Sequence, residues 1–146
     1  QRPALAPGGR PWPQVSGYFD ETETDRLQGR SSVLLDNSRN RSDVLVKLVI
    51  FDATKRATAI RTVFVRRFHA FTITAAPPGE YELRFQDVDN GGTWRSARFA
   101  LQESAGPAQG RFTEARFQFL LEGVSRTAET ADAAHTPLTA IASQEF

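Results

Sequence analysis

Apolar and polar positions alternate on either side of Pro77-Pro78-Gly79. Before it, Phe71 and Ile73 alternate with Ala70, Thr72 and Thr74; after it, Tyr81, Leu83 and Phe85 alternate with Glu80, Glu82 and Arg84. Period two with one apolar face predicts strands packed on a core from one side. Two prolines that cannot donate to a ladder, followed by a permissive glycine, predict a turn and hence a β-hairpin over 63–85. Val44–Phe51 is apolar on both parities apart from Lys47, which predicts a central strand covered on both faces.

The pattern continues in short pieces. Strands are expected at 15–19, 31–35, 59–65, 93–101, 112–121 and 138–146, the fifth favoured as strand over helix. The apolar parity shifts at Arg66-Arg67-Phe68, which predicts a bulge or bend. Asn90-Gly91 predicts a second hairpin turn. Residues 20–30, 36–41, 52–58, 103–110 and 125–137 read as loops or turns. Residues 1–14, with Pro3, Pro7, Pro11, Pro13, Gly8 and Gly9, read as an extended arm ahead of a domain spanning 15–146. The fold expected is all-β: one antiparallel β-sandwich of about seven to nine strands.

Bulk properties narrow the function. Cysteine is absent, which removes disulfides, thiolate nucleophiles and cysteine metal sites. The net charge of +1 is too near zero for a dedicated nucleic-acid binder. No apolar run reaches the ~20 residues of a membrane span. The chain begins at Gln1 rather than methionine, and a processed N-terminus would place the protein in the periplasm or outside the cell.

Titratable chemistry is sparse. His69 shares parity with Phe71 and Ile73 and is expected at the edge of the core face, a structural position rather than that of a base. His135 falls in a small-residue loop. No G-x-S-x-G elbow is present. Asp87, Asp89 and Asn90 have the spacing of a calcium loop, but Arg98 stands where a bidentate carboxylate belongs, so a hairpin turn is favoured. No P-loop is present. The expectation is no catalytic residue, no metal and no cofactor.

The basic residues are nearly all arginine, Lys47 and Lys55 being the lysines. Arg61, Arg66, Arg67, Arg84, Arg95 and Arg98 fall around the two turns, with Trp94 between Thr93 and Arg95. Arginine with aromatics suits carboxylates, phosphates, glycans and protein hot spots; the competing account is a solvated face paired with Glu80, Glu82 and Asp87. Trp12, between two prolines, is the candidate anchor of the arm, either on this domain or on a neighbouring chain.

With VLVKLV at 44–49, FVRRFHAFTI at 64–73, APPGEYELRF at 76–85, Trp94 and a C-terminal AIASQEF, residues 31–146 resemble a group of exported bacterial β-modules. More loosely, the 77–85 stretch is similar to carboxypeptidase-regulatory and prealbumin-like sandwiches, whose Gly-rich opening this chain lacks. These motifs are strand positions and one turn, so no catalytic residue carries over. The resemblance implies a non-catalytic binding or assembly module, an accessory subunit of a larger protein complex. The alternatives are a carbohydrate-binding or adhesion module stacking glycans on Trp12 or Trp94, and a small hydrolase.

Overall fold

The computed structural model describes residues 2–19, 28–104, 111–119, 127–129 and 135–146. Among these residues the fold is all-β, with two large sheets built on six longer strands: β2 (Ser31–Asp36), β3 (Val44–Phe51), β4 (Ala57–Val65), β5 (Ala70–Ala76), β6 (Gly79–Asp87) and β11 (Glu114–Phe119). Eight further pieces are two or three residues long: β1 (Gly17–Tyr18), β7 (Thr93–Arg95), β8 (Phe99–Leu101), β9 (Glu103–Ser104), β10 (Arg111–Phe112), β12 (Thr127–Glu129), β13 (His135–Pro137) and β14 (Thr139–Ala140). These short pieces lift the strand count above the expected range. The expected strand over 93–101 is split into β7 and β8, because Ser96 turns back to bond Leu83 through both its amide and its hydroxyl.

One large sheet runs β1-β4-β3-β6-β7-β14 with β8 also on β6, the other β13-β12-β11-β2-β5; β9 and β10 pair with each other in a separate two-stranded sheet. Pairings are antiparallel except β11 with β2, which is parallel. Inward residues of both sheets make one core: Val44, Val46, Leu48, Val63, Val65, Leu83 and Phe85 from the first, Val33, Leu35, Ile73, Phe117 and Phe119 from the second. Strand 112–121 is confirmed as a strand at Glu114–Phe119, its Phe117 and Phe119 buried and its Glu114 and Arg116 exposed.

The Pro-Pro-Gly turn is present, but it does not close a hairpin. β5 pairs with β2 in one sheet, and β6 pairs with β3 in the other. The turn is an arch that carries the chain across the sandwich. Tyr81 pins it, its hydroxyl donating to the Pro77 carbonyl at 2.6 Å inside the core. Burial pushes the Tyr81 hydroxyl up to about 12, against the opposing pull of the Arg61 charge. A raised acid pKa means the folded state resists losing that proton while the unfolded chain does not. Stability is therefore expected to be full below pH 10 and to fall as pH rises toward about 12, as thermal melts of wild type and Tyr81→Phe across that range would show.

The parity break at 66–68 is likewise a sheet change: β4 ends at Val65, and the chain turns over Arg66–His69 into the opposite sheet. His69 is exposed on this turn, away from the core edge where its parity placed it. β3 sits between β4 and β6, and both its faces are covered, as its pattern requires. On the outer face Leu45 forms a small second core with Phe64 and Val88, roofed by Trp12, Phe19 and Phe146.

The N-terminal arm is not extended throughout. A short 3-10 turn at Pro7–Gly9 folds it back, with the Ala6 amide donating to the Arg10 carbonyl at 2.8 Å. Arg2 reaches Asp43 and Asp89 at 2.7 and 2.9 Å, and the Trp12 indole donates to the Pro3 carbonyl. The arm thus lies on its own domain. The expected last strand shrinks to Thr139–Ala140, followed by a 3-10 turn at Ser143–Glu145. Of the loops expected at 20–30, 103–110 and 125–137, residues 20–27, 105–110, 125–126 and 130–134 lie outside the described residues. Strand replaces loop at β9, β12 and β13, so His135 stands in a short strand paired with Glu129 rather than in a loop.

Candidate functional site

The eight residues singled out in the sequence do not form one face. Arg61 is buried beside the register shift between Leu48 and Val49, and its guanidinium donates to the carbonyls of Ile60 and Ala75. It ties β4 to β5 and presents no surface for a partner. Trp94 faces inward and is buried at 5% exposure, so it is not a stacking platform. Trp12 is half-buried, its ring 6.4 Å from Phe64 with the Arg2 guanidinium 5.5 Å from its centre. Arg84 and Arg95 are cross-strand neighbours in the row that begins at Lys47. Arg84 pairs with Glu82 at 2.7 Å and donates to the Glu145 carbonyl; Lys47 donates to that of Phe146. That row lies under the C-terminal segment, with Arg95 left exposed. Arg98 stands 3.9 Å over the Phe51 ring. Asp87 spends a carboxylate oxygen on the amides of Asp89 and Asn90, which makes the 87–92 stretch the hairpin turn its Asn-Gly predicts.

Arg66 and Arg67 belong to a different constellation, at the end of the sandwich where β2 hands over to β3 and β4 to β5. Two buried asparagines hold these connections together. The Asn37 amide nitrogen lies 3.0, 3.2 and 3.1 Å from the carbonyls of Ser42, Val65 and Arg66, and its backbone N–H donates to His69. Asn40 donates from its side chain to the Asn37 side-chain oxygen and to the Phe119 carbonyl, and accepts the Phe68 amide on its own carbonyl. The Arg67 amide donates to Asp43, and the Arg66 amide to the Ser16 hydroxyl.

Clamped on these sides, Phe68 sits at φ 63°, left-handed backbone that a bulky residue rarely takes. It is nevertheless 58% exposed. Strain held at an exposed aromatic places the ring where relaxed backbone would not. Arg39, Arg41, Arg67 and His69 are exposed around it, and Arg66 is half-buried. Among the described residues none of these four arginines forms an ion pair. The carboxylates at this end have other commitments. Asp43 and Asp89 hold Arg2. Burial alone would raise the Asp36 carboxyl, but hydrogen bonds from Ser38 and Gln118 and the Arg39 charge outweigh it and hold it below the usual carboxylate value.

Apolar side chains are exposed at the same end. Val15, 71% exposed, precedes the Ser16 that caps Arg66. Leu5, 54% exposed, lines a groove of about 280 Å³ between the arm and the β6–β7 turn, with Val88 and Gly91. Three of the four exposed large apolar side chains among the described residues, Leu5, Val15 and Phe68, therefore come from segments at the end that carries these arginines; Phe112 is the fourth.

Glycine relieves left-handed strain of roughly 1–2 kcal/mol and loses about 0.5–1 to chain entropy. Phe68→Gly is therefore expected to raise stability by about 0.5–1 kcal/mol in chemical unfolding. A drop in stability would mean the Phe68 ring supports the fold.

Sequence reading missed Arg39, Arg41 and Phe68. Arg39 and Arg41 lie in a stretch that scans as an ordinary polar turn, and the signal for Phe68 was the parity break itself. No helix among the described residues is long and apolar enough to cross a membrane. No protein-family model, curated protein or solved structure matches the chain.

Proposed function

We propose that the chain is a non-catalytic binding and assembly module, an exported accessory subunit of a larger bacterial complex, and that the loop end of its sandwich is its docking end. The observation that carries this reading is the joined pair of connections at 37–43 and 66–69. They hold a strained, exposed Phe68 among Arg39, Arg41, Arg66 and Arg67. Arginine and aromatic side chains dominate the energetics of recognition surfaces. A rigid, hydrogen-bonded base loses little entropy when such a surface docks. With Trp94 buried and Trp12 turned onto Phe64, glycan stacking has less to support it than docking by the loop end.

The test is fractionation of cells that make the untagged chain. Wild type should travel with an assembly or envelope fraction far heavier than a 16.2 kDa protein. The Arg39→Glu/Arg67→Glu variant, altered only at exposed positions, should move to the free-protein fraction. Free wild-type protein, or a variant that still travels with the heavy fraction, would overturn the reading.

A further inference from the structure

Resting on that reading of the loop end as the binding end, we propose that the surface it meets is a bilayer rich in anionic phospholipid. Leu5, Val15 and Phe68 come from the arm, the segment before β1 and the β4–β5 crossover. They are separate exposed points with arginines interspersed. A protein interface draws its affinity from a contiguous, closely packed apolar centre. A fluid bilayer has no such requirement: lipids rearrange around each side chain, and any headgroup phosphate can meet any guanidinium. Interfacial binding grows with the apolar area that enters the headgroup region and with attraction of basic residues to anionic lipid. This end of the sandwich supplies both terms. The strained backbone at Phe68 keeps its ring out of the domain's own core, where an apolar side chain would otherwise gain by burial.

The probe is vesicle co-sedimentation of the full chain, with phosphatidylglycerol–phosphatidylcholine vesicles against phosphatidylcholine alone. Binding is expected to the anionic vesicles, weak or absent on the neutral ones, and reduced by added salt. Each single Arg→Gln change at 39, 41 or 67 should weaken it about fivefold. Phe68→Gly, whose fold the crossover hydrogen bonds preserve, should weaken it while leaving the salt dependence in place. A melting temperature at or above wild type would confirm that this variant is folded. Failure to sediment with anionic vesicles at low salt, or binding unchanged in Phe68→Gly and the arginine variants, would overturn the lipid proposal. A glutamate-rich peptide bound at the loop end while vesicles are ignored would overturn it too, in favour of an acidic protein segment. In either case, heavy-fraction travel in cells that still depends on Arg39 and Arg67 would leave the binding-module reading standing.

Discussion

Replacing Leu83 by alanine is expected to cost about 2–5 kcal/mol of stability, the range for a buried large-to-small change. Leu83 is fully buried at the middle of β6, opposite Leu48 of β3 and between Tyr81 and Phe85 along the core face. Its backbone is fixed on the other edge as well: its N–H donates to the Ser96 hydroxyl, and its carbonyl accepts from the Ser96 amide. With both neighbouring strands held, the site has little freedom to collapse around the missing methyl groups, which favours the upper part of the range. Urea unfolding of the two proteins measures the difference; a loss below about 0.5 kcal/mol would show that Leu83 does not face the core.

Asn37→Asp is expected to be at least as severe, about 3–5 kcal/mol, although it changes almost no volume. The Asn37 amide group is fully buried against three carbonyl oxygens. A carboxylate there would set negative charge against those oxygens and donate to none of them, which is the cost of an unpaired buried charge. Protonation would soften the penalty, so the deficit should shrink in acid. The loop end should come apart with it, because the same side chain holds Arg66 and, through Asn40, the Phe68 amide. Thermal unfolding at neutral and acid pH measures both effects. A neutral substitution would show that the two connections are held by something other than this amide.

Strand identity and core parity were legible because burial imposes them one residue at a time. Ile73, Tyr81, Leu83 and Phe85 are buried and Phe71 packs against the core, whether β5 and β6 pair or face each other. That indifference hid the arch. A Pro-Pro-Gly turn between two alternating strands has the same pattern in a hairpin and in a sheet-to-sheet crossing, and the partners that decide, β2 and β3, lie elsewhere in the chain. Arg61 was misread because a register shift in β4, invisible in composition, tucks it against two carbonyls. Trp94 was grouped with arginines that neighbour it in sequence, although on a strand Trp94 and Arg95 point to opposite faces. The loop end was the least legible part. It depends on side-chain to backbone hydrogen bonds from Asn37 and Asn40 to residues far along the chain, and neither asparagine looks different from a turn residue.

The central claim is that the protein binds through this loop end, and a photo-cross-linking residue at position 68 tests it most directly. Placed there in cells that make the protein, it should give adducts on irradiation. The same residue at position 54, in the exposed turn between β3 and β4 at the opposite end of the sandwich, should give none. Adducts at 54 with none at 68 would contradict the account.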